Sequence, residues 1–333
     1  MPLISVVMSV YNGERFLAPA IESILNQSLS DFEFIIIDDG SADASLAVLN
    51  EYAGFDKRIR VISRENRGLI SSLNEAIGLA RGSWIARMDA DDIALPTRFE
   101  KQMGWLRQTG ADVCGGCVQL IGTTPRRVWS YHTSNEAIRI RMLFGSPFAH
   151  PTVIIRASVA RRYAYNTNAA YVEDFDLWAR LAMENVPMTN YPDVVLKYRI
   201  HSEQTTATKQ QQQRRNMLAV FDEYSSYLLG DDFEVKSGYL LVANKQLEVT
   251  PSNFIDGLGF LKKLRLRFKD PENVVSRNAF IFLTRSGFLS VSEMMEISND
   301  FSLRPWQKLI LLLIASTGIL PEGKIYRFLY RFR

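Results

Sequence analysis

The chain opens on Ile4-Ser5-Val6-Val7-Met8-Ser9-Val10, a nearly continuous apolar run of the kind buried on both faces of a parallel sheet. Tyr11-Asn12-Gly13 breaks it, and Phe16, Leu17, Ala20, Ile21, Ile24 and Leu25 then recur at helical spacing. The alternation repeats: a strand over 32–37, a helix holding Leu46, Val48 and Leu49, a strand over 59–62, and a helix over 70–80. A further short apolar strand, Trp84-Ile85-Ala86-Arg87-Met88, closes the set, with a helix from Thr97 behind it. Strands alternating with helices of about ten residues predict an α/β fold with a parallel sheet covered on both sides.

Three of these strands run into polar turns: Tyr11-Asn12-Gly13, Asp38-Asp39-Gly40-Ser41 and Asp89-Ala90-Asp91-Asp92. In a parallel sheet those ends meet along one edge, where open α/β sheets bind their ligands. Asp89 and Asp91 alternate, so in extended backbone both carboxylates face one ion, and hard oxygen ligands suit Mg²⁺ or Mn²⁺ with a diphosphate. The competing reading is a solvated acidic turn with Asp92 capping the next helix. Neither Gly-x-Gly-x-x-Gly nor Gly-x-x-x-x-Gly-Lys-Ser/Thr occurs, so any phosphates are neutralised mainly by metal.

The middle of the chain adds a strand over 111–121 with a central glycine pair. Its Cys114 and Cys117 form a Cys-x-x-Cys, but there is no second cysteine pair and only three histidines in all, so buried thiols in a reduced, cytosolic compartment are expected. Residues 148–156 read as another strand, with His150 a structural residue or an acceptor contact. Tyr171-Val-Glu173-Asp174-Phe-Asp176-Leu-Trp178 leads into a helix to Met183 that turns Leu177, Leu181 and Ala182 inward. Glu173 and Asp174 lie at its amino terminus, where helix capping alone would account for them. Val194 to His201 alternates like an edge strand and ends in Arg199-x-His201.

After residue 208 the pattern becomes helical, with no assignable motif. Phe260-Leu-Lys-Lys-Leu-Arg-Leu-Arg-Phe-Lys269 alternates cations with bulky apolar residues, and 324–333 is basic and aromatic. The uncharged run from Leu309 to Leu320 is short of the about 20 residues that span a bilayer. Such stretches favour an anionic membrane surface over a packed helical subdomain with solvated charges. No nucleic-acid-reading motif accompanies the basic residues, so nucleic acid is not an expected partner. The net charge of +3 over 333 residues makes any basic surface local. Met1-Pro2-Leu3 runs straight into the first strand, so no signal peptide is expected and the chain is placed in the cytoplasm, peripheral on the inner face of the membrane.

Ser5-Val-Val-Met-Ser-Val-Tyr-Asn-Gly-Glu-Arg-Phe-Leu17, Ile21-Glu-Ser-Ile-Leu-Asn-Gln-Ser28, Asp38-Asp-Gly-Ser41, Glu65-Asn-Arg-Gly68, Leu73-Asn-Glu-Ala76 and Asp89-Ala-Asp-Asp92 stand in the order of family 2 glycosyltransferases, which the chain resembles. The resemblance runs from about residue 3 to 105, resumes more loosely to about 205 and is absent beyond. It implies a GT-A fold, a Rossmann-like, mostly parallel sheet, as the catalytic domain over 1–208. Residues 1–110 would form its nucleotide half and 111–208 its acceptor half, with a helical region over 209–333.

By resemblance, Tyr11 and Asn12 line the nucleotide pocket, Asp39 accepts from the base, and Asp38 supports it or touches the ribose. Asp89 lies by the ribose and diphosphate, Asp91 holds the divalent cation, and Arg67 approaches the diphosphate. Inverting members use one carboxylate as general base opposite the leaving group, and the matching position is Asp174, with Glu173 and Trp178 shaping the acceptor side. Arg199 would pair with phosphate oxygens and His201 would ligate the metal or contact the diphosphate. The implied activity is transfer of a sugar from a nucleotide sugar, UDP first, to a glycan or lipid-linked glycan in bacterial surface-polysaccharide synthesis. The alternatives are a catalytically silent nucleotide-sugar-binding scaffold at the membrane and a sugar nucleotidyltransferase, whose Gly-rich basic loop is absent from Tyr11-Asn12-Gly13-Glu14.

Overall fold

The computed structural model describes residues 1–122, 127–201, 210–230, 233–243 and 247–317. They divide into two compact units, Met1–Ile138 with Ser146–Tyr224, and Arg139–Gly145 with Ser225–Arg333. The boundary expected at 208 falls outside the described residues.

The first unit follows the predicted alternation. β1 (Ile4–Val10), α1 (Glu14–Leu25), β2 (Phe32–Asp38), α2 (Ser45–Phe55), β3 (Ile59–Ser63), α3 (Leu69–Leu79) and β4 (Trp84–Arg87) succeed one another. The order β3-β2-β1-β4 is parallel throughout. All seven residues of β2 are buried, which is why its apolar run is unbroken. Then come β5 (Ile93–Ala94), α4 (Arg98–Thr109), β6 (Val113–Ile121), β7 (Val128–Trp129), α5 (Asn135–Arg141), β8 (Ile154–Arg156), α6 (Ala157–Tyr163), α7 (Glu173–Met183) and β9 (Met188–Arg199). They extend the sheet as β4-β8-β6-β9-β5, with β7 on β6; β8 runs antiparallel to β4 and β6, and β9 parallel to β6.

Three predicted elements change. The strand expected over 148–156 shrinks to Ile154–Arg156, because Pro151 lacks a ladder donor and His150–Thr152 form a 3₁₀ turn in which Thr152 N–H donates to Ala149 O at 2.9 Å. The segment read as an edge strand is interior: the two-residue β5 pairs with β9, Ile93 opposite Lys197. Asp92 is not the cap of α4, whose N-cap position is Thr97.

The central glycines of β6 have a packing cause. A Cβ at Gly115 would collide with the Asn190 amide, and one at Gly116 with Val195. The ladder shifts register around Cys117, and both cysteines are buried and free. Beneath β6, the buried Gln102 of α4 donates to Gly115 O and Thr152 O, each at 2.9 Å, while its Oε1 accepts from Arg98 Nε at 3.1 Å.

The second unit holds the carboxyl-terminal part of α8 (Gln210–Leu229), then α9 (Phe233–Ala243), α10 (Phe254–Phe268), α11 (Val274–Leu283), α12 (Val291–Asp300) and α13 (Pro305–Thr317). Phe260, Leu261, Leu264, Phe282, Leu283 and Phe301 fill its core, and Ser290 with Glu293 forms a capping box on α12. No helix among the described residues is long and apolar enough to cross a membrane. The basic tail over 324–333 lies outside the described residues.

Gln102→Leu removes the partner of a strand carbonyl, of a 3₁₀-turn carbonyl and of a buried guanidinium. Unfolding in urea should show a loss of about 1–3 kcal/mol for the variant.

Candidate active site

The turns after β1 and β2 are fastened to each other. Asn12, in the left-handed region at φ 50°, accepts Ala42 N–H through its side chain at 2.8 Å and donates its own N–H to Ser41 Oγ at 3.0 Å. Gly13 N–H reaches Ser45 Oγ at 2.9 Å, and Tyr11 stands exposed beside them. Asp38 is buried, accepting from Ser63 Oγ at 2.7 Å and Ser41 N–H at 3.3 Å. Asp39, also buried, pairs with Arg64 and accepts Arg67 and Gly68 N–H groups at 2.9 Å each. Its carboxylate thus fixes the loop over 64–68, while the Arg67 side chain points outward to Glu65 at 3.2 Å. Arg64 was not singled out by the sequence, where it stands one residue ahead of the Glu65-Asn-Arg-Gly68 motif.

At the end of β4 the predicted carboxylates converge. Asp89, Asp91 and Asp92 each place an oxygen within 4.8 Å of the others. Asp92 is buried; its Oδ1 accepts Arg199 N–H at 2.8 Å and its Oδ2 has no hydrogen-bond partner. An orphaned carboxylate oxygen beside two more carboxylates is a donor set that fits a hard divalent cation. Arg199 Nε donates to Asp91 O at 2.8 Å, and His201 Nε2 lies 2.8 Å from Asp91 Oδ2. Phe16 backs both, with the Arg199 guanidinium 4.4 Å from its ring centroid.

Burial raises the Asp89 carboxyl, opposed by Arg87, and burial with Asp89 and Asp91 lifts Asp92 well above the usual range. Arg87 is the buried cation of this cluster: it pairs with Asp89, and its own carbonyl accepts from the buried Arg98 at 2.8 Å. Sequence reasoning passed over it, although an arginine inside an apolar strand was a visible anomaly.

Glu173 and Asp174 are the first two residues of α7. Burial raises the Asp174 carboxyl, opposed by the Phe175 N–H and by Arg87, and Arg87 lines one cavity with Tyr165 and with Leu177 of α7. Burial, then the Asp174 charge, pushes Glu173 up to about 7. Trp178, expected to shape the acceptor side, is wholly buried, because it falls on the inward stripe of α7 with Leu181 and Ala182; its ring packs on Phe148 and His150. His150 in turn bonds Tyr165 Oη at 2.7 Å, and Asn74 grips the Tyr165 backbone from both sides, at 2.8 and 2.9 Å.

Among known sequences, the family model of glycosyl transferase family 2 matches residues 5–167. An uncharacterized glycosyltransferase of Haemophilus influenzae is 34% identical over 242 residues, 68% of this chain and 75% of its own length. The chain belongs to glycosyl transferase family 2. Another relative of this family 2 protein, the O-antigen biosynthesis glycosyltransferase WbnJ of Escherichia coli, is 34% identical over 62% of this chain and 82% of its own.

Solved structures carry the same GT-A fold. S. aureus TarS 1-349 in complex with UDP aligns at TM-score 0.55 and 16% identity, over 94% of this chain and 90% of that one. The mannosyltransferase PcManGT from Pyrobaculum calidifontis, in complex with GDP-Man and Mn²⁺, aligns at 0.50 and 14%, over 95% and 86%. The structural likeness therefore reaches into the carboxyl-terminal helices, where the sequence motifs of family 2 give out.

The folded family 2 enzyme keeps the Glu173 proton up to about pH 7, whereas the unfolded chain releases it near the ordinary 4.5. Raising the pH through that window therefore costs folding stability. Glu173→Gln should lose this dependence, so its urea midpoint gains on the wild type between pH 4.5 and 7.5.

Proposed function

We propose that this family 2 enzyme is an inverting, divalent-cation-dependent glycosyltransferase, moving a sugar from a UDP-sugar to a glycan or lipid-linked glycan during surface-polysaccharide assembly. One observation carries the reading: three carboxylates converge at the end of β4 on the buried Arg87, and Arg87 lines one cavity with Tyr165 and Leu177 of the helix that begins with Glu173 and Asp174. In this reading a leaving-group site and a base serve one pocket, as a single displacement requires. The UDP found with TarS and the matching position of Asp39 support the donor class, and the O-antigen relative supports the acceptor class. The Mn²⁺ of the mannosyltransferase supports a cation.

In this mechanism Tyr11 covers the nucleobase, and Asn12 and Asp38 hold the turns that shape its pocket. Asp39 presents what acceptor capacity the 64–68 loop leaves it. Asp91, with Asp89, Asp92 and His201 around it, would hold the cation, which offsets charge on the departing diphosphate. Arg199 and Arg67 supply further positive charge. Asp174 takes the proton of the acceptor hydroxyl as its oxygen bonds to the anomeric carbon and the bond to the diphosphate oxygen breaks, inverting the centre. Glu173, protonated up to about pH 7, donates a hydrogen bond on the acceptor side.

Donor titrations with Mn²⁺, Mg²⁺ and chelator test the platform. Asp91→Ala should abolish cation-dependent UDP binding. Asp174→Asn should keep that binding and lower sugar transfer by roughly 10²–10⁴-fold. Full transfer by Asp174→Asn would remove the base assignment, and a wild type that binds UDP but transfers no sugar under any metal condition would favour a silent scaffold.

The second unit offers the membrane contact. Along α10, Ile255 and Leu266 are 73% and 83% exposed on one stripe with Lys262, flanked by Lys263, Arg267 and Lys269. Exposed aliphatics among cations fit anionic lipid. Co-sedimentation with phosphatidylglycerol vesicles should fall severalfold in Ile255→Asp/Leu266→Asp, with UDP binding unchanged.

A further inference from the structure

Strand β7 is two residues long, and both side chains are exposed, Val128 at 50% and Trp129 at 44%. A tryptophan left in water on a short strand buries little of the surface it could, so its position calls for a partner. The register supplies the setting. Trp129 stands opposite Val118 of β6, and Tyr198 of β9 stands opposite Leu120, so the two rings rise from the same face of the sheet. Their centroids are 5.7 Å apart with planes inclined by 36°.

Tyr198 also borders the acidic cluster. The next residue, Arg199, is bound through its N–H to Asp92 and through Nε to Asp91 O. Burial, then Asp89, Asp92 and Asp91, pushes the Tyr198 phenol up. The aromatic pair thus runs from the carboxylates outward to solvent. Its strands β6, β7 and β9 are not neighbours of β1 in the sheet, since β4 and β8 stand between β1 and β6.

We propose that Trp129 and Tyr198 form a stacking platform for a pyranose ring of the acceptor glycan. The axial C–H groups of a pyranose give it an apolar face that lies flat on an aromatic ring, while its equatorial hydroxyls stay in water at the rim. Such a surface needs no buried charge, and Trp129 and Val128 present none. The nucleotide turns have an exposed aromatic of their own in Tyr11, at the end of β1, which leaves the Trp129 pair for the acceptor. The platform rests on the transferase reading above, and the experiment separates the two.

Saturation-transfer difference NMR with methyl β-glucopyranoside, methyl β-galactopyranoside and methyl N-acetyl-β-glucosaminide tests it, on the full chain with Mn²⁺ and UDP present. In the wild type the axial ring protons of at least one glycoside should saturate. Trp129→Ala should weaken that glycoside about tenfold, Trp129→Tyr should restore most of it, and UDP affinity should stay as in the wild type. Unchanged glycoside signals in Trp129→Ala would overturn the platform, as would equal losses of glycoside and UDP, or a wild type that binds UDP but none of the glycosides. A wild type that binds neither would overturn the transferase reading and the platform with it.

Discussion

Three ionised carboxylates within 4.8 Å of one another repel by about 3–4 kcal/mol per pair at an effective dielectric of 20. Summed, that repulsion is comparable to the whole stability of a typical domain, and it is relieved in two ways: Asp89 and Asp92 hold their protons more tightly than usual, and positive charge is built in beneath them. Arg87 supplies it directly, paired with Asp89 and buried in the strand that carries the cluster. Arg98, buried at the start of α4, is bonded to the Arg87 carbonyl, and its charge and that of Asp92 act on each other. Glu173 and Asp174 are raised chiefly by burial, and Arg87 opposes the shift in both.

The rest of the first unit keeps these groups in register. Asn74 of α3 clamps the Tyr165 backbone across 91 residues of sequence. Arg180, held by Asp176 at 2.8 Å, donates to the carbonyls of Tyr163 and Ala164. The segment that leads into Glu173 and Asp174 is therefore tied to α3 on one side and to α7 itself on the other. Gln102 does the equivalent service under β6, joining α4 to the strand and to the 3₁₀ turn that carries His150.

Much of this was legible in the chain. Long apolar runs have one reading when both faces are buried, so β1, β2 and α1 stand within a residue or two of their predicted bounds. The polar turns at the strand ends, and Glu173-Asp174 ahead of an amphipathic helix, marked the carboxylates that the fold sets at the ends of β2 and β4 and at the start of α7. What stayed hidden depends on partners distant in sequence. A two-residue β5 has no periodicity to detect, and Trp178 looks available until the inward stripe of α7 is traced. Asp39 reads as a free acceptor because nothing local announces that Arg64, Arg67 and Gly68 occupy it. Arg87 reads as a break in a strand until Asp89 and Arg98 are seen around it.

The cross-tied turns after β1 and β2 have a consequence for affinity. Ordering a free backbone residue costs about 1–2 kcal/mol, and a pocket whose walls were loose would charge that cost against every ligand it took up. Here Asn12, Gly13 and Glu14 are already locked to Ser41, Ala42, Ala44 and Ser45 by hydrogen bonds of 2.7 to 3.0 Å. The entropy is surrendered once, during folding, and a nucleotide arriving at that edge meets a rigid mould.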